Sequence, residues 1–172
     1  MQENHSSKQS VWLVYYKKGS NKQTIGWSEA VDEALCFGWI DSKKVPIDDE
    51  KFMQFFSPRK PNGTWSKVNK EKVKRLIEAK LMTKLGFESI ENSKQNGSWR
   101  ILDKVEELLS PEDLEQEFQK KIGSKKYFIS LSKSFRKSTL QWIVLAKRPE
   151  TRQKRVSEIT TLANQKLKPK SF

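Results

Sequence analysis

The sequence predicts an α+β fold: a small antiparallel sheet with one packed helix in the amino-terminal half, and a helical carboxy-terminal half. Three observations carry this. Val11-Trp12-Leu13-Val14-Tyr15-Tyr16 is a β-branched and aromatic run that ends at Lys17-Lys18-Gly19, as a strand does. Two further segments read as strands, 39–47 and 52–56, flank the turn residues Asp48-Asp49-Glu50. After about residue 66, apolar residues recur at helical spacing.

The elements follow in order. Ser28 is a plausible N-cap with Glu29 in the first turn, and Ala30, Val31, Ala34 and Leu35 make one apolar face before Gly38 stops the helix. Val73, Leu76, Ile77 and Leu81 form an apolar stripe, with Lys70, Lys72, Lys74 and Arg75 on the other faces. Gly86 to Lys94 reads as a short helix ending at Asn96-Gly97. Ser110-Pro111-Glu112-Asp113 starts another, with Ser as cap, Pro at the first position and a stop at Gly123. Phe135, Leu140, Ile143 and Val144 outline a helix capped by Ser132. Pro149 interrupts that pattern, and Val156, Ile159 and Ala163 outline the last helix, before a frayed basic tail from Lys166 to Phe172. Two lobes are expected, 1–65 and 66–172, packed as a single unit. A near-repeat, Asn62-Gly63-Thr64-Trp65 and Asn96-Gly97-Ser98-Trp99, marks two turns that each deliver a tryptophan to the next segment.

With 172 residues the chain fits one ordinary domain or two small lobes. Hydrophobic content is only 35%, but six Trp and nine Phe supply large buried areas, so the expected core is modest and aromatic. No run approaches the roughly 18 apolar residues of a membrane-spanning helix. The start, Met1 to Ser10, is polar, and one cysteine, Cys36, suits a reducing compartment. The expected location is therefore the cytoplasm. Net charge is +13 and uneven, since residues 119–172 carry 15 basic against 2 acidic side chains. That asymmetry favours anionic partners, whether an anionic ligand, nucleic acid or an acidic membrane surface, or else serves solubility.

Much chemistry is excluded. His5 is the only histidine, so Ser-His-Asp and Cys-His arrangements are nearly ruled out, and one Cys with one His cannot build a zinc site. No phosphate-binding glycine loop or nucleophile elbow occurs. No metal and no cofactor are expected, and an enzyme is less expected than a binding protein. Cys36 reads as a small buried apolar residue.

The residues from 36 to 69 concentrate the remaining polar and aromatic groups. Trp39 and Asp41 alternate with Ile40 at a strand start, so they share one face. Arg59 follows the rigid Ser57-Pro58 and is expected opposite. One reading is a pocket in which Arg59 holds an anion, Asp41 accepts hydrogen bonds, and Trp39 or Trp65 stacks on a planar group. The other is an Asp41–Arg59 ion pair pinning a hairpin over a tryptophan core. Ser66 and Asn69 either join that pocket or cap the next helix. A second cluster, Arg148, Arg152 and Arg155, offers an anion-binding face or ties to acidic helix 111–118 and to helix-end carbonyls.

The runs Cys36-Phe37-Gly38-Trp39-Ile40-Asp41, Phe56-Ser57-Pro58-Arg59-Lys60 and Thr64-Trp65-Ser66-Lys67-Val68-Asn69 resemble the bacterial YdeI/OmpD-associated family, often labelled bacteriocin-protection proteins. Trp142-Ile143, Ala146-Lys147, Thr151-Arg152 and Arg155 extend the resemblance, which runs from about Trp12 to about Ala163. It implies an accessory protein linked to tolerance of bacteriocins or antimicrobial peptides, and with the chemistry excluded above the leading expectation is a cytoplasmic, non-enzymatic binding module of that type. The alternative is a basic nucleic-acid-binding protein. Relatives generally carry a further strand and helix before this point. Gln2-Glu3-Asn4-His5 resembles the last turn of that helix, so the resemblance implies either a truncated or misassigned start or an open sheet edge here.

Overall fold

Three strands, β1 (Val11–Tyr16), β2 (Trp39–Pro46) and β3 (Lys51–Pro58), form one antiparallel sheet in the order β1-β3-β2 in the computed structural model. The described residues are 2–169. Residues 170–172 of the expected frayed tail, and Met1 of the polar start, lie outside them. Among the described residues the sheet is joined by eight α-helices, so the α+β class holds.

The β2–β3 hairpin turns at Asp48, whose side chain accepts from the backbone N–H groups of Glu50 and Lys51. Helix α1 (Trp27–Cys36) lies against β2 and buries Ala30, Val31, Ala34 and Leu35. Its first turn corrects the expected cap. Gly26, not Ser28, is the N-cap, and the Glu29 carboxylate accepts the Gly26 N–H at 2.9 Å. Ser28 Oγ instead accepts from the Lys72 ammonium at 2.6 Å.

Helices α2 (Lys67–Glu78) and α3 (Lys84–Gln95) belong with the sheet: residues 1–100 form one unit and 101–172 a second. Ser66 caps α2 by accepting from Asn69 N–H at 3.3 Å. The apolar stripe of α2 is narrower than its spacing predicts, because Val73 and Leu76 are buried while Ile77 and Leu81 are exposed. Lys72 and Arg75 both reach Asp32, tying α2 to α1. At the end of α1, the Cys36 carbonyl accepts from Thr83 Oγ1 at 2.6 Å and Thr83 N at 3.1 Å. Gly86 makes this possible, since a Cβ there would sit 2.4 Å from the same carbonyl oxygen.

In the second unit, α4 (Asp103–Glu106), α5 (Glu112–Gln119), α6 (Ser124–Ser130), α7 (Lys133–Val144) and α8 (Pro149–Asn164) enclose Leu114, Leu140, Ile143, Val156 and Ile159. Pro111 occupies the N-cap of α5, one residue later than expected for Ser110. Ser132 caps α7, accepting from Phe135 N–H. Pro149 opens α8 at its first position, where its missing N–H costs nothing. Helix α5 ends at Gln119, short of the expected stop at Gly123, and Gly123, at φ +87°, is instead the N-cap of α6, which has no counterpart in the sequence expectation.

Candidate functional site

The packed face of the sheet carries two of the candidate residues, Trp39 and Asp41. Strand alternation puts Val11, Leu13 and Tyr15 on that face, opposite Phe56, Gln54 and Phe52 of β3. Trp39 and Asp41 join them from β2, paired with Pro58 and Phe56. Register then shifts between Asp41 and Lys44: β2 advances three residues while β3 advances two. This β-bulge turns Lys44 onto the same face as Asp41, where regular alternation would send it to the other side. Gln54 is the hinge. Its Nε2 donates to Asp41 Oδ2 at 3.0 Å and to the Ser42 carbonyl inside the bulge at 3.1 Å.

Asp41 Oδ2 also accepts from Trp27 Nε1 at 2.9 Å, so the carboxylate sits on two fixed donors. Trp27, Asp41, Lys44, Phe52 and Gln54 line an open cleft of about 390 Å³. The Lys44 ammonium lies 4.0 Å from the Phe52 ring centre. Tyr15 stacks on the same Phe52 with ring centres 5.0 Å apart. The Tyr15 hydroxyl is buried without a hydrogen-bond partner. Burial first, and the Asp41 charge second, push its pKa up to about 12.

Arg59 forms a separate arrangement. Its guanidinium stacks 3.6 Å above the Trp65 ring and donates from Nη2 to the Thr64 carbonyl at 2.7 Å. Nη1 is buried with no partner. Burial pushes the guanidinium down to about 10, with the Asp41 charge pulling the other way. No ion pair joins Asp41 to Arg59: the aspartate is held by Trp27 and Gln54, the arginine by Trp65 and Thr64.

The sequence candidates therefore separate. Trp39 and Trp65 are both core, each 2% exposed, and Trp39 borders a second, mostly apolar cleft of about 480 Å³ with Val11, Leu13, Ile25 and Phe56. Ser57 pairs with Ile40, on the opposite face from Asp41. Ser66 and Asn69 meet in the cap of α2. Cys36 is buried, and burial, with smaller contributions from Glu33 and Asp32, lifts its thiol to about 11, far from a reactive thiolate. The near-repeat turns out to be spatial: Trp65 and Trp99 pack with ring centres 4.8 Å apart, and Asn96 Nδ2 donates to the Pro61 carbonyl.

In the second unit Arg152 makes a two-pronged contact with Asp113, at 2.6 and 2.9 Å. That hydrogen bonding holds the Asp113 carboxyl below the usual range and raises Arg152. Arg155 lies 4.7 Å from the Trp142 ring and donates to the Trp142 carbonyl near the end of α7. Arg148 is the exposed N-cap of α8. Of the three arginines, two are occupied by structural contacts.

Sequence reasoning missed Trp27, Lys44, Phe52, Gln54 and Tyr15. One signal was present: Gln54 alternates with Phe52 and Phe56, so a carboxamide occupies a core-facing strand position and requires polar company.

Two family models match the chain. Residues 1–89 match a domain of unknown function, DUF8412, and residues 107–166 match OmdA, described as bacteriocin-protection, YdeI or OmpD-associated. The Asp41 cleft lies within the first match and the Arg152–Asp113 tie within the second. No curated protein and no solved structure matches.

Proposed function

We propose, from the premise that this chain belongs to the DUF8412 family and carries an OmdA match at 107–166, that it is a non-enzymatic binding module. It acts inside the bacterial cell, in tolerance of bacteriocins or cationic antimicrobial peptides, and its ligand sits in the Asp41 cleft. The observation that carries this reading is the Asp41 carboxylate held on the Trp27 indole and the Gln54 carboxamide at the edge of an open cleft. Neither donor titrates in the working range, so the pair suits a fixed acceptor better than a proton relay. A chain of net charge +13 repels cationic peptides, so protection is indirect, through another ligand.

The test is a tolerance assay in cells lacking the natural copy, complemented with Asp41→Asn or Trp27→Phe. Loss of protection at an unchanged unfolding midpoint supports the reading. Full protection by both variants refutes it.

A second reading, nucleic-acid binding, is favoured by one observation. Trp12 is 43% exposed on the outward face of the sheet and packs edge-on against Phe55 at 5.0 Å, in a strongly basic chain. Exposed aromatics on a sheet suit base stacking. Retention of random single or double strands should then fall by orders of magnitude between 50 mM and about 0.2 M salt. It should also weaken on Trp12→Ala. No retention at 50 mM salt removes this reading.

A further inference from the structure

The bulge in β2 sets two opposite charges on one face of a single strand, three residues apart, and both line the same cleft. Asp41 and Lys44 nevertheless do not pair with each other. Asp41 Oδ2 is satisfied by Trp27 and Gln54, and the Lys44 ammonium rests on the Phe52 ring. Asp41 Oδ1 is left to accept, and Lys44 keeps its donors. The half-exposed Trp27 indole and the Phe52 ring line the same cleft. Opposite charges that share a cleft without neutralising each other leave room for a ligand that bridges them.

We propose that the Asp41 cleft binds a small zwitterion of the free α-amino acid class. The ligand ammonium donates to Asp41 Oδ1, and its carboxylate accepts from Lys44 Nζ. The side chain lies against Trp27 and Phe52. The volume, about 390 Å³, sits at the small end of the range of ligand pockets and suits an amino acid rather than a nucleotide. The bulge is what makes the site: with regular alternation Lys44 would face the other side of the sheet, and Asp41 alone would favour a simple cation. This inference rests on the Asp41 cleft being the binding site.

The Trp27 indole N–H, hydrogen-bonded to Asp41, is a built-in reporter in nitrogen–proton correlation spectra, assigned by its disappearance in Trp27→Phe. Three probes separate the charges: L-leucine, its methyl ester with only the ammonium, and N-acetyl-L-leucine with only the carboxylate. Leucine should bind at least about tenfold more tightly than either derivative. Lys44→Met, an exposed position that leaves packing intact, should erase the advantage of leucine over its ester. Asp41→Asn should erase its advantage over the N-acetyl form. Equal binding of leucine and its ester, or an unchanged ratio in Lys44→Met, overturns the zwitterion. Indole and phenol, which carry no charge, distinguish the two levels of failure. If they move the Trp27 signal and leucine gains nothing over its derivatives, the cleft binds but not zwitterions. If no probe moves it, the cleft is not the site and both readings fall.

Discussion

Each of the two units contains an arginine laid over a tryptophan and donating to a backbone carbonyl, and the two pairs behave differently. In the first, Arg59 covers the buried Trp65 at 3.6 Å, donates to the Thr64 carbonyl, and keeps Nη1 buried with no partner. In the second, Arg155 covers the half-buried Trp142 at 4.7 Å and donates to that residue's own carbonyl, while its neighbour Arg152 takes a carboxylate. The same two residue types thus serve as interior in one unit and as surface tie in the other. A buried guanidinium without a carboxylate in contact is a net cost to folding, whereas a half-exposed, two-pronged pair is a modest gain. Removing charge should therefore have opposite signs in the two places.

The largest expected effect tests the burial half of the contrast. Trp65→Ala should cost the first unit about 3–5 kcal/mol in chemical denaturation, the range for large aromatic truncations in cores. Trp142→Ala should cost clearly less. Equal losses would mean that the two tryptophans are equally interior.

Next is the tie. A double-mutant cycle over Arg152→Met and Asp113→Asn should give a coupling of about 1 kcal/mol, modest because both side chains are about a third exposed and screened by solvent. Asp113 has its folded-state pKa held down, so its contribution is present above its unfolded pKa of about 4 and is lost as pH falls through the lower folded value. Asp113→Asn should therefore remove part of the acid sensitivity of the second unit. An unchanged acid midpoint would show that the pair contributes nothing.

The smallest effects carry the opposite sign. Arg59→Met keeps the stem on Trp65 and deletes the charge, and should leave stability unchanged or raised by up to about 1 kcal/mol. Tyr15→Phe removes a hydroxyl with no partner and should do the same. The Tyr15 pKa is raised in the fold, so its contribution is intact below its unfolded value near 10. That contribution is lost as pH rises through about 12. Tyr15→Phe should flatten alkaline unfolding across that window. A loss of 2 kcal/mol or more in either variant would mean that these groups stabilise the fold.

The strands were legible because alternation is a local signal: the runs expected at 11–16, 39–47 and 52–56 appear at Val11–Tyr16, Trp39–Pro46 and Lys51–Pro58. Ser132 was legible as a cap and Ser66 as one of two candidates beside Asn69, since a hydroxyl three residues ahead of its N–H partner is a local pattern. Gly26 was not, because its role depends on Glu29 reaching back rather than on a side chain of its own. The cleft was half legible. Asp41 stood out beside Trp39, but a β-bulge has no fixed sequence mark, and without it Lys44 belongs to the wrong face. Trp27 and Gln54 reach Asp41 from 14 and 13 residues away, through tertiary packing that periodicity does not encode.

The paired Asn-Gly turns also decide how the protein ages. Asparagine followed by glycine is the dipeptide most prone to cyclise and deamidate, because the glycine N–H meets no side-chain obstruction. Asn96 is restrained at both ends of its amide, donating to the Pro61 carbonyl and accepting from the Ser98 N–H. Asn62, exposed on its turn, holds no such pair of bonds. On prolonged storage the first acidic isoform should therefore carry its new carboxylate at residue 62, beside the loop that holds Arg59 against Trp65. A chemical clock is set in one turn and stopped in its twin.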